Sequence, residues 1–197
     1  MKRLLIVIFL LFFIQACSNQ NTNKNLSNQG SNDPELPIEP SKVNENQQGG
    51  LKMEVISNNF KNNQDMSSKY TCQGQNIRPH LKWSNFPEET KSFAISVIDP
   101  DAPMGDFVHW LIYNIPVTVT ELQEGLDIPP SSIEVKNDFG KKQYGGPCPP
   151  SGKHRYFFRI YALKTQKLES INEVNFLEKV NENNLDTAEI IGLYQKK

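Results

Sequence analysis

The chain has 197 residues, with 21 Lys and Arg against 22 Asp and Glu and a formal net charge of −1. A near-neutral chain lacks the cationic surface whose counterion release drives nucleic-acid binding, which sets DNA and RNA aside as partners. A mean hydropathy of −0.55 excludes a polytopic membrane protein.

Met1-Lys2-Arg3 opens the chain with positive charge, and Leu4 to Ile14 is an unbroken run of 11 apolar residues. A helix that spans a bilayer needs about 20. The run therefore reads as the hydrophobic part of a secretory signal over residues 1–16. Ile14-Gln15-Ala16-Cys17 resembles a bacterial lipobox, in which the Cys is diacylated and becomes the first residue of the mature chain. Cys17 is the expected lipidation site; the alternative is plain signal cleavage with Cys17 incidental. Ser18 after the Cys goes, in a Gram-negative host, with export to the outer membrane. The expected location is the cell envelope, lipid-anchored on the periplasmic face.

Residues 17–50 read as a tether. From Ser18 to Gly50, Asn, Gln, Ser, Pro and Gly supply 22 of 33 residues, and none is aromatic. Such a stretch buries too little apolar surface to offset its ordering entropy, and as a flexible coil it spans about 30 Å.

Residues 51–197 are the size of one ordinary domain. Met53 to Ser57 reads as a first strand. Ser92 to Asp99 (SFAISVID) is apolar on both faces, the pattern of a buried central strand. In Val108 to Ile115, alternation puts Val108, Trp110 and Ile112 on one side and His109, Leu111, Tyr113 and Ile115 on the other. In His154 to Leu163, His154, Tyr156, Phe158 and Ile160 share a face. Ser170 and Glu173 form a capping box, and Val174, Leu177 and Val180 follow at helical spacing, predicting a helix from Ile171 to Asn183. Ala188 to Tyr194 is a last strand. Asp99 to Phe107, Pro129 to Phe139 and Tyr144 to Lys153 carry Pro and Gly and read as loops.

Cys72 and Cys148 lie 76 apart with no CxxC, which argues against zinc or a thioredoxin-type site. In an exported chain two such Cys are expected to pair; the alternative is two free buried thiols. There is no G-x-S-x-G, P-loop, G-x-G-x-x-G or H-E-x-x-H, and neither an enzyme nor a resident metal or cofactor is expected. What remains are polar residues at strand ends: Asp99 and Asp101 closing one strand, His109 opening the next, His154 and Tyr156 on a third. A carboxylate, two imidazoles and a phenol converging on one cleft suit an anion, with the carboxylate orienting or charging a His. The competing reading is satisfied buried histidines and Asp-Pro turns. His80 reads as an exposed strand-end residue.

DPDAP at 99–103, HWLIYNIP at 109–116, NDFG at 137–140, GGPCPP at 145–150 and HRYFFRIYAL at 154–163 closely resemble the phosphatidylethanolamine-binding protein family, in particular its bacterial Raf kinase inhibitor-like branch. CQGQNIRPHLKW at 72–83 and AEIIGLYQ at 188–195 also match. The resemblance implies a mainly β fold, with a large central antiparallel sheet packed on a smaller one and one or two C-terminal helices. It also implies a small pocket for phosphate, phosphomonoesters or phospholipid headgroups. Its members by motif are Asp99, His109, His154 and Tyr156, with Asp101 and Pro103 on one wall and Gly146 and Pro147 on the other. Where many bacterial relatives carry Gly-His before the final strand, Glu182-Asn183 stand here, which leaves open how the helix closes the pocket. Relatives have been read as lipid carriers, kinase modulators and protease inhibitors. The expectation is a non-catalytic, membrane-tethered module binding an anionic headgroup, a phosphomonoester or a phosphorylated partner. One alternative is an inhibitor of a kinase or protease working through Pro147 to Lys153. Another is a hydrolase in which Asp99, His109 and His154 hold a metal.

Overall fold

The structure is a computed structural model that describes residues 52–197. The expected signal, Cys17 and the tether lie outside the described residues. The described elements run β1 (Glu54–Ile56), β2 (Gln64–Asp65), β3 (Leu81–Ser84), β4 (Ser92–Asp99), β5 (Phe107–Pro116), β6 (Glu121–Leu122), β7 (Ile133–Val135), β8 (Lys153–Leu163), α1 (Phe176–Asn183) and β9 (Asn184–Gln195), with a 3-10 turn at Ser68–Tyr70. A small sheet has the order β1-β3-β6, and a large one the order β2-β9-β8-β4-β5-β7. Pairing is antiparallel except for the two-residue β2, which runs parallel to β9. No helix among the described residues is long and apolar enough to cross a membrane.

β4 is buried at every position because both faces of the large sheet are covered. On one face Phe93, Ile95, Val97, Trp110, Phe158 and Ile160 meet Leu81, Trp83 and Leu122 of the small sheet. On the other, Ala94, Leu111, Tyr113 and Tyr161 meet Phe176 and Val180 of α1 and Leu168 before it. Each fully buried aliphatic or Phe side chain contributes about 1.5–3 kcal/mol, which makes β4 and its two neighbours the energetic centre of the domain. The mainly β, two-sheet reading with a C-terminal helix agrees with this architecture.

Strict alternation fails twice in β5. Val97 and Ile98 pair with Trp110 and Val108, so His109 is an extra residue in the ladder; Phe93 and Ile95 pair with Ile115 and Ile112, which makes a second bulge. Asn114 takes the left-handed conformation there (φ 57°), one that Asn tolerates better than most residues. Its side chain ties to Leu168 through both its amide N–H and its carbonyl. Ile115 consequently joins Ile112 in the inter-sheet core instead of Leu111 and Tyr113.

The helix starts later than its sequence signal. Ser170 is itself left-handed (φ 56°). Glu173 pairs with Lys136 at 2.9 Å instead of reaching back to a cap. The turn is built by Asn172, whose Oδ1 accepts from the Val174 and Asn175 amides. Val174 is consequently 89% exposed, and the buried helix face is Phe176 and Val180. β7 also falls inside the stretch read as a loop, added at the sheet edge opposite Leu111–Tyr113. His80 is buried rather than exposed: its Nδ1 accepts from the Asn58 amide and its Nε2 bonds Glu121 at 2.8 Å.

Candidate functional site

Asp99, the last residue of β4, anchors the site. It is buried, and its Oδ2 lies 2.7 Å from Nδ1 of buried His154. Its Oδ1 accepts from the Asp101 amide at 2.9 Å. The carboxylate thus fixes the His154 ring from one side and the Asp-Pro turn from the other, and leaves His154 Nε2 for another partner. Tyr156, two residues on and on the same strand face, is fully buried. Its hydroxyl makes no hydrogen bond of good geometry among the described residues, although the Asp99 carboxylate and the Cys148 backbone lie close to it. Burial, and then the nearby Asp99 charge, hold its phenol well above the usual range.

His109 arrives from β5 by way of the bulge. A bulge turns the extra side chain to the side of its neighbour, and the imidazole meets the Tyr156 ring at 5.1 Å. Phe107 and Phe139 pack on it at 5.2 and 5.3 Å. His109 Nδ1 lies 2.7 Å from the Gly145 carbonyl. A carbonyl only accepts, so Nδ1 carries the proton and Nε2 faces any ligand. Burial holds this imidazole below its ordinary pKa, against the opposing pull of the Gly145 carbonyl and Asp99.

A cavity of about 480 Å³ opens here, lined by Asp99, Pro103 and His109 together with Phe107, Asp138 and Phe139; His154 and Tyr156 are buried and are not among its lining residues. Cys148, Pro149 and Pro150 form its far wall. Of the expected wall residues, Asp101, Gly146 and Pro147 do not line it. Asp101 turns outward to Arg155, taking bonds from its backbone amide, Nε and Nη2. The Arg155 guanidinium holds its carboxyl down at about 2. Gly146 lines a neighbouring cavity of about 320 Å³. Its amide donates to Asn76 Oδ1 at 2.7 Å, and a Cβ there would fall 2.2 Å from the Tyr70 carbonyl oxygen.

Cys72 and Cys148 form a disulfide, with Cα atoms 5.4 Å apart. Cys148 places this bond in the cavity wall. Sequence reasoning missed Asn137, which is buried and knots the 137–145 loop onto the site. Its Nδ2 donates to the His109 and Gln143 carbonyls, and its Oδ1 accepts from the Phe139 and Lys141 amides. The NDFG motif contained it, but no spacing rule marks an Asn as a loop knot. A larger hollow of about 810 Å³ lies at Gln73, Lys153 and Lys197. There Lys153 is paired with Asp65, and Gln73 with Tyr194 and Lys197. Among the described residues no three His, Cys, Asp or Glu side chains are grouped closely enough to hold a metal ion.

Comparison with known proteins places the chain in a family. A UPF0098 protein of Aquifex aeolicus is 45% identical over 158 residues, covering 75% of this chain and 91% of its own. The UPF0098 protein YbcL of Escherichia coli is 39% identical over 163 residues. The crystal structure of YbcL, described as a new member of the mammalian PEBP family, superposes with a TM-score of 0.70 at 37% identity, covering 74% of this chain and 99% of that one. The putative phosphatidylethanolamine-binding protein homologue CT736 of Chlamydia trachomatis gives 0.69 at 36% identity, with the same coverage. The profile described as Phosphatidylethanolamine-binding protein matches residues 56–195, and the chain belongs to that family.

Proposed function

We propose that this chain is a non-catalytic binding module for phosphate-type anions, either free phosphomonoesters or phospholipid headgroups, held at a membrane through Cys17. Family membership supports a binding function of the phosphatidylethanolamine-binding type. The observation that carries the anion reading is the His109 ring in the cavity wall, its Nδ1 committed to Gly145 and its Nε2 left for a ligand, beside the Asp99–His154 pair; the Tyr156 hydroxyl is buried near them without a well-formed hydrogen bond. A buried donor left unpaired costs about 1–3 kcal/mol, which an anionic oxygen would offset.

Because Nδ1 of His109 is committed to Gly145, Nε2 donates to an anion only in the imidazolium. Binding therefore takes up a proton. Affinity for phosphoethanolamine strengthens as pH falls from about 8 to about 6, then levels off as the phosphate loses its second charge near a pKa of about 6. His109→Ala and His154→Ala each cost about 1.5–3 kcal/mol of binding. Calorimetric titration across pH tests this. An affinity independent of pH that survives both substitutions overturns the anion reading.

A further inference from the structure

The segment Gly145–Cys148 is a thin wall with a function on each side. Toward the main cavity it presents Cys148, and the Gly145 carbonyl accepts the hydrogen bond from His109 Nδ1. Toward the neighbouring cavity it presents Gly145 and Gly146, with the disulfide partner Cys72 beside them. From that second side it is fastened by one loop. Asn76 Oδ1 accepts from the Gly146 amide, the Cys72 amide donates to the Pro147 carbonyl at 3.1 Å, and the disulfide closes the third attachment. Residues 72–76 of that loop are exposed throughout, so packing does little to hold it, and Gln73 ties it to Tyr194 and Lys197 at its far side. The disulfide is the covalent fastening of the three, and the two hydrogen bonds depend on the loop it keeps in place. From the near side, the wall's link to β5 is the Gly145 amide to the His109 carbonyl, together with the imidazole bond.

We infer that the Cys72–Cys148 disulfide positions His109 for the anion, and that the binding site is therefore sensitive to redox state. This rests on the anion reading above. A dithiol attacks the sulfur of Cys72, an exposed residue; the S–S bond breaks, both Cys residues are left as thiols and the dithiol becomes the disulfide, so that two electrons and two protons are transferred. The loop then releases Gly146 and Pro147 together, the Gly145 carbonyl loses its fixed aim, and the His109 ring exchanges between tautomers. The proline pair behind Cys148 loses its anchor at the same moment, which widens the cavity wall. Cys72 and Cys148 are positioning residues here, since they act through Gly145.

The test compares full-length oxidised protein, dithiothreitol-reduced protein and the Cys72→Ser/Cys148→Ser double variant. Phosphoethanolamine affinity is read by calorimetry, and the His109 ring by nitrogen-15 NMR of the imidazole. The expected result is a roughly five- to tenfold weaker affinity on reduction. The His109 spectrum should move from a single Nδ1-protonated tautomer to a mixture, with circular dichroism unchanged. Asn76→Ala, which keeps the disulfide and removes one fastening, shifts both readouts in the same direction by less. Unaltered His109 tautomer and affinity in the reduced protein overturn the inference. So does an Asn76→Ala variant indistinguishable from wild type if the reduced protein unfolds. Should oxidised protein fail to bind phosphoethanolamine at all, the anion reading falls, and the tautomer measurement alone decides the coupling.

Discussion

The His109 and Tyr156 rings meet edge to face, centroids 5.1 Å apart and planes at 85°, although β4 lies between the strands that carry them. Two strand spacings separate their backbones by about 9.6 Å. The rings close that gap over the end of β4, where Asp99 finishes the strand opposite Phe107. One carboxylate thereby sits beneath a contact that joins three strands, and changes at any of the three are felt by the others.

The first prediction concerns pH and stability without ligand. Burial holds the folded His109 pKa below its ordinary value, while the unfolded ring titrates near about 6.5. Below about 6.5 the unfolded chain binds more protons at this position than the folded one, so His109 makes stability fall on acidification. Asp101, held at about 2 by Arg155, stays ionised throughout and contributes no slope. Glu134, whose carboxyl is raised by burial, acts in the opposite sense. The measurement is therefore thermal unfolding at pH 7.5 and 5.5 for wild type and His109→Asn. The variant should lose less on acidification; an equal loss refutes the assignment.

The second concerns Tyr156. Replacing it with Phe keeps the ring contacts and deletes a buried hydroxyl that makes no hydrogen bond of good geometry. Tyr156→Phe should raise the stability of the ligand-free chain by about 1 kcal/mol and weaken phosphoethanolamine binding by about 1 kcal/mol. Urea denaturation and calorimetry read the two effects separately. A variant destabilised without ligand would show that the hydroxyl is satisfied within the fold.

The third concerns Gly146. A methyl group there meets the Tyr70 carbonyl oxygen at 2.2 Å and Asn76 Oδ1 at 2.6 Å. The first of these is backbone and has little room to retreat. Gly146→Ala should destabilise the domain by about 1–3 kcal/mol, the range for overpacking. A urea midpoint unchanged from wild type would show that the loop yields freely.

The fourth concerns the anchor. Wild-type protein should partition into detergent and carry labelled fatty acid, since two acyl chains hold a membrane where one does not. Cys17→Ala should release a soluble form or leave an unprocessed precursor. A processed Cys17→Ala protein that still partitions with the membrane eliminates lipidation at that residue.

The strands that build the core were legible because β4 is a short run apolar on both faces and alternation survives in β8, and because the motif residues Asp99, His109, His154 and Tyr156 sit at strand ends where polar side chains stand out. The bulges were not legible. They arise from pairing with β4, and Asn114 was their one local sign. The helix start was misread because three local Asn bonds outcompete a Ser-Glu box whose Ser lies outside helical geometry. His80 was misplaced because its burial depends on Asn58 and Glu121, partners that no local pattern around Arg78-Pro79-His80 reveals. Asp101 carries the right residue type for a pocket wall, but Arg155 outbids the cavity for it.

The two irregularities of β5 have a joint arithmetic. The strand spans 10 residues against the 8 of β4, and both ends of the ladder are in phase, Phe107 with Asp99 and Pro116 with Ser92. Sides repeat every two residues, so two insertions add one whole period and cancel at the strand's ends. Losing Asn114 alone would turn over every side chain on one part of the strand relative to the rest. Losing His109 alone would do the same from the other end. Only the removal of both would leave a plain ladder, and that ladder would have no imidazole at its mouth. A ligand-facing histidine and an asparagine five positions away, bound to the opposite face of the sheet, therefore form a matched pair of insertions that a single-residue deletion cannot separate without inverting the strand.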